Sequence, residues 1–445
     1  MNITNHLSFR QYSLAFTAWL MFFLALPAWS QIQVEALERE INDPDPVVRE
    51  RAAREFGEQG NPAYVSVVGS VVQDQNEKVR MAVVKSLIRL GSPASVSPLC
   101  TAVRDGIPEI RYLAIDGLIN YYIPGFIDTG FSGFFRSVGR RVEGLFSDVD
   151  TLVVNADVRL DDEVVSTLLS AMIGAPEMKT RRRAARALGI LRAQAAVEDL
   201  VQVTFSNDIG LIEESLSALQ KINDRSAGPR VMFLLNYPQP NVQRLAAYTV
   251  GVLQAEEAIP DLRRLLTNSR DKSVRAAVLD AMAFMPKPET APLFQQYLSD
   301  KERPMRIAAA LGIGRLKDAA SLEMIQQAAS KERDRSVQLA LAFALVSFGQ
   351  TNYLQELVDD LGSRARRGEA RPYLIELARE SNVRDVLYPQ LHSRNDDIRL
   401  NLCQVFAASG DSTSISYLET LLRDRDAAVS AEASRAIRIL HSRGM

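Results

Sequence analysis

Thr180-Arg-Arg-Arg-Ala-Ala-Arg-Ala-Leu-Gly189 carries the pattern on which most of this chain is built. Counting from Arg181, Ala184, Leu188 and Leu191 fall three, seven and ten positions on, which places them on one side of an α-helix. Outward from this stretch the arrangement recurs. It appears as Val48-Arg49 with Ala52 and Phe56, as Val79-Arg80 with Val83, Leu87 and Leu90, and as Ile110-Arg111 with Ala114 and Leu118. Further copies are anchored at Ile212, Gln243, Arg275, Arg306, Gln338, Arg371, Arg399 and Ser430. Apart from one gap, successive anchors lie 28 to 33 residues apart. A fixed period of this length marks a repeat architecture, in which each unit hides its apolar face against its neighbours.

Each unit reads as two helices. Asp45-Pro46, Asp271 and Asp396 precede anchors and can satisfy the free N–H groups of a first turn. About seventeen residues beyond the anchor a proline recurs (Pro98, Pro229, Pro260, Pro292, Pro389) and opens a second apolar-periodic stretch. Residues 32–41 read as a lone second helix before the first anchor, and Val429 to Leu440 as a final anchor helix. The recurring arginines Arg49, Arg80, Arg111, Arg181, Arg275, Arg306 and Arg399 are expected to form a structural ladder, each bonding the acidic turn of a neighbouring repeat.

Thr180 to Gly189, together with Val242-Gln-Arg-Leu-Ala-Ala-Tyr-Thr-Val-Gly251, resembles the HEAT family in its short phycobilin-lyase-type variant. The chain as a whole is similar to exported bacterial HEAT-repeat proteins. The resemblance implies an all-α, right-handed α-solenoid of about eleven to twelve two-helix repeats, with one insertion. It further implies that the second helices line a concave groove, where the family binds proteins.

Leu14 to Trp29 is an apolar run without charge, preceded by Arg10 and followed by Ala28-Trp29-Ser30. This is the layout of a secretory signal peptide over residues 1–30, cut after Ser30, and predicts a periplasmic or extracytoplasmic address. The alternative is an uncleaved anchor. N-terminal repeats then occupy 31–121, an insertion 122–162, and C-terminal repeats 163–445. In the insertion, Phe131, Phe134, Phe135, Val138, Val142, Leu145 and Phe146 share one side of a helical wheel. That stripe is expected to pack on the solenoid itself, on a protein partner, or at a membrane surface. Asp148, Asp150, Asp157, Asp161, Asp162 and Glu163 follow without the spacing or turn glycine of a calcium loop, and read as a solvated segment. Thr151 to Val154 reads as a short strand.

With 52 basic and 54 acidic residues, the chain lacks the basic excess of a nucleic-acid binder. Cys100 and Cys403 are too far apart in an elongated array to pair. Beyond the leader only His392 and His441 remain, and no phosphate loop, nucleophile elbow or Cys-x-x-Cys is present. The Glu213-Glu214 pair reads as helix surface, and Arg364, Arg366, Arg367 and Arg371 as a solvated connector. The expectation is therefore an exported scaffold that binds a protein partner through its groove, with no enzymatic role, no cofactor and no metal. A HEAT-like lyase or hydroxylase and a membrane-associated adaptor are the alternatives.

Overall fold

The computed structural model describes residues 34–127, 153–154 and 158–443. The leader and the aromatic stripe from Phe131 to Phe146 lie outside these residues. The described residues are helical, with no strand among them, and build an all-α solenoid. They divide into two units, one holding residues 34–127 and 161–187, the other 153–154, 158–160 and 188–443.

In the first unit the anchor helices Pro46–Gln59, Glu77–Leu90 and Pro108–Tyr122 pack in succession. Their cores are the periodic residues, with Ala52, Phe56, Val83, Leu87, Ala114 and Leu118 fully buried. The short second helices Val65–Ser70 and Val96–Ala102 complete two repeats. After the insertion, Asp162–Gly174 packs on Val96–Ala102 and so supplies the second helix of the third repeat.

The second unit repeats the scheme. Anchor helices Ile209–Ile222, Pro240–Val252, Lys272–Phe284, Arg303–Leu316 and Arg335–Ser347 pack one on the next, followed by Arg367–Leu377, Asp396–Ser409 and Ala427–Ser442. Close approach explains the glycine eight residues past some anchors. A Cβ on Gly251 would meet the Ala281 Cα at 2.5 Å, and one on Gly314 the Ala344 Cα at 2.7 Å. Second helices follow a single 3-10 turn in most repeats, and Pro229, Pro260 and Pro292 fall in their first turns.

Two expectations are corrected here. The Arg364–Arg371 stretch is not a solvated connector: Arg367 opens the helix Arg367–Leu377, Arg366 bonds Asp360 at 2.8 Å, and Arg371 reaches Asn401 at 3.3 Å. Val153 and Val154 are not in a strand, although the Val154 N–H donates to the Ile190 carbonyl at 2.8 Å.

Candidate functional site: the groove of the second unit

The ladder arginines follow a common local rule. Arg49 donates to both carboxylate oxygens of Asp74 at 2.7 and 2.9 Å, and to the Asp43 carbonyl six residues upstream. Arg80 repeats this on Asp105 and the Asp74 carbonyl, and Arg399 on Asp424 and the Ser393 carbonyl. Arg306 does so on Glu332 and the Asp300 carbonyl. Arg111 reaches across the insertion to Glu177. Arg181 bonds the Ala175 carbonyl at 2.6 Å, and Arg275 meets the Tyr297 hydroxyl and ring. The series also includes Arg384, which bonds Asp411 and the Ala378 carbonyl, although it stands in a second helix outside the anchor register. Arg49, Arg80, Arg111, Arg306, Arg384 and Arg399 thus staple the loop before their own helix to the turn before a later one, whereas Arg181 and Arg275 depart from the expected ladder, since the bonds they make are to a carbonyl and a tyrosine rather than to an acidic turn.

Burial alone would raise the Asp74 carboxyl, but the Arg49 guanidinium, the Asn76 amide and Arg80 together hold it below its usual range. At Asp424 the Arg399 hydrogen bond is the main cause of a lowered pKa.

A groove of about 1560 Å³ runs along the second unit. The expectation that second helices line it is corrected, because its walls come mainly from the anchor helices, with Asn382 and Val383 the contribution of a second helix. The residue five positions after the anchor faces it in five successive repeats: Ser217, Tyr248, Asp280, Leu311 and Phe343. So does the residue nine positions after it: Lys221, Val252, Phe284, Arg315 and Ser347. The apolar three-and-four spacing fixes which side of a helix is buried, but not which helix of the pair faces the hollow.

The centre of this groove is a polar and aromatic cluster. Arg315 grips Glu376 through two hydrogen bonds of 2.9 Å, with its guanidinium 4.5 Å from the Phe284 ring centroid and 5.7 Å from that of Phe343. Tyr373 packs against Phe343 at 5.4 Å, and Tyr248 meets Phe284 edge-on. The remaining terminal nitrogen of Arg315, Nη1, is buried and has no hydrogen-bond partner. A buried, unpaired charged donor is costly, so such an atom marks where an acceptor belongs. Asp280 lies close by. Burial pushes its carboxyl up to about 6, against the pull of Arg315 and with the push of Glu376. Burial likewise raises the Tyr373 hydroxyl. The groove therefore offers flat apolar faces, a fixed cation with a spare donor pair, and a carboxyl able to exchange a proton near neutral pH.

Sequence reasoning missed this cluster because its members come from five repeats, and its charged members each look like an ordinary helix-surface residue. The signal lay in the comparison of repeats. The positions five and nine residues after the anchor change in character from copy to copy, and in the second unit they face the groove.

Elsewhere, Cys100 and Cys403 are buried free thiols, raised by burial to about 11 and about 12, and so protonated at neutral pH. Among the described residues no cluster of three or more His, Cys, Asp or Glu could hold a metal, and no helix is long and apolar enough to cross a membrane.

The family model described as HEAT repeats matches residues 34–119, 207–283, 228–312 and 265–346, and that described as PBS lyase HEAT-like repeat matches 180–204. Over 146 residues the chain is 29% identical to the bilin biosynthesis protein PecE of Mastigocladus laminosus, a match taking in 33% of this chain. It covers 54% of PecE, so the chain spans about half the length of this curated relative. Solved structures to which the chain shows some likeness include an engineered protein (18% identity, 92% of this chain and 98% of that one, TM-score 0.35). Another is the complex of CpcE and CpcF of phycocyanin lyase from Nostoc sp. PCC7120 (18%, 59% and 92%, 0.36), and a third is Kap121p bound to Nup53p (14%, 93% and 57%, 0.44). The match to a bilin biosynthesis protein corrects the expectation that this chain has no enzymatic role. That expectation rested on missing His and Cys constellations. The HEAT model alone accounts for half of the chain, which therefore belongs to the HEAT-repeat family.

Proposed function

We propose that this protein is a lyase-type HEAT-repeat platform that holds an anionic, conjugated small molecule in the groove of its second unit and works together with a protein partner. The observation that carries this is Arg315. Its planar guanidinium lies close to the Phe284 and Phe343 rings, is oriented by Glu376, and keeps one donor nitrogen without an acceptor. A carboxylate on a flat ligand would satisfy that donor while the rings of Phe284 and Tyr248 cover the ligand's face. An open-chain tetrapyrrole has this chemistry, and the likeness to a bilin biosynthesis protein supports that class. Asp280, with its raised pKa, is placed to share a proton with a bound N–H or carboxyl group.

Titration with biliverdin, followed by its absorption spectrum, tests this reading. Saturable binding that Arg315→Met weakens by about tenfold or more is expected, equivalent to the roughly 1.4 kcal/mol of one charge-assisted hydrogen bond. Binding equal in the two proteins, or no binding by the folded wild type, would overturn it. The apolar run before Ser30 supports an extracytoplasmic address. N-terminal sequencing of protein from the native host should begin at Gln31, and a retained Met1 would remove that part of the proposal.

A further inference from the structure

Several anchor helices end with a residue in the left-handed backbone region, eleven positions after the anchor. In the first unit it is glycine, Gly60 and Gly91 at φ 67° and 57°. In the second unit, four successive or near-successive copies carry a side chain there instead: Arg192, Asn223, Gln254 and Lys317, at φ 53°, 61°, 55° and 52°. Gly349 returns to glycine at the next copy. L residues are disfavoured in this region, asparagine least so. All four side chains line the groove. The repeats around the groove thus accept an unfavourable backbone where the first unit does not, and gain a row of polar side chains, at most one per repeat.

The charge around the row is mainly positive. Apart from the mutually paired Arg315 and Glu376, six basic residues line the groove against two acidic ones, in a chain whose net charge is −2. Lys317 makes only an exposed contact with Glu380, at 3.5 Å. We infer that this row is a docking track for an extended, acidic segment of a partner protein. Arg192 and Lys317 pair with carboxylates of that segment. Asn223 and Gln254 carry both donor and acceptor and meet its peptide groups, which a helical or folded partner would keep occupied. The track does not depend on Arg315 or on the small molecule assigned to the groove centre.

Glycine at all four positions makes the test sharp, because it suits the backbone and removes only the side chains. The full chain with Arg192→Gly, Asn223→Gly, Gln254→Gly and Lys317→Gly is compared with wild type for thermal stability and for binding a fluorescein-labelled, Glu-rich twelve-residue peptide by anisotropy. The expected result is a raised Tm with about fivefold or greater loss of peptide affinity, and wild-type binding that weakens as salt is added. Arg315→Met should leave peptide binding unchanged, which separates this track from the groove centre. A stabilised glycine variant that binds the peptide as tightly as wild type overturns the inference, as does a wild type that does not bind it at low salt.

Discussion

Arg80 shows what a single residue contributes here. Its guanidinium makes two bonds to Asp105 and one to the Asp74 carbonyl, and its side chain is only 15% exposed. Arg80→Met removes the partner of a largely covered carboxylate, so it should lower stability by about 1–3 kcal/mol, read by urea unfolding. Substitution of an exposed arginine such as Arg425 should move the same midpoint by a few tenths of that at most. The carboxylates of Asp74, Asp424 and Glu332 are held below their usual values. They therefore add stability that is complete above the unfolded carboxyl pKa, about 4, and is lost as pH falls through their folded values. Asp280 has the opposite sign. With a folded pKa of about 6, it takes up protons more readily folded than unfolded, so stability declines as pH rises between about 4 and 6. Thermal melts of wild type and Asp280→Asn across pH 3 to 8 should converge at the acid end and separate above pH 6, with the variant the more stable. Separation at the acid end instead would contradict the raised pKa. The ladder was legible in sequence because it recurs, whereas Arg384, which obeys the same geometry out of register, was not.

Among elements, the anchor helix has two jobs, and its sequence separates them cleanly. The positions three, seven and ten residues after the anchor are buried and hold the stack together, with Val278 and Met282 fully covered in the Arg275 helix. The positions five and nine residues after it face the groove and vary freely. The glycine at eight sets how close two helices come. Gly251→Val would drive a branched side chain into the Ala281 backbone, and should cost about 1–3 kcal/mol by overpacking, measured as a loss in urea midpoint. A smaller effect than that of Gly251→Ala would show that the helices separate without penalty. The periodic pattern announced the two-helix unit and its boundaries, because burial leaves a mark at every turn. It did not tell which helix faces the hollow, since both helices of a unit carry one buried and one exposed side. The anchor helices are the ones exposed along the groove.

At the scale of the whole molecule, stability belongs to neighbours rather than to one core. Leu279 is fully buried in the Lys272–Phe284 helix. Leu279→Asp should raise deuterium uptake in the flanking helices Pro240–Val252 and Arg303–Leu316 while leaving Ala427–Ser442 protected. Uniform loss across all three would mean a single cooperative core. Family and fold were legible at this scale because they are sums over many copies. The groove chemistry was not, because Asp280, Arg315 and Glu376 meet only once the repeats are stacked. The central claim is that the face presented by the anchor helices is where this protein works. Hydrogen–deuterium exchange with and without saturating biliverdin tests it most directly. Protection is predicted at residues 244–252, 280–286, 311–317, 343–349 and 372–377, with the second helices Ile259–Asn268 and Leu322–Lys331 unchanged. Protection confined to those second helices, with the anchor-helix segments unaffected, would contradict it.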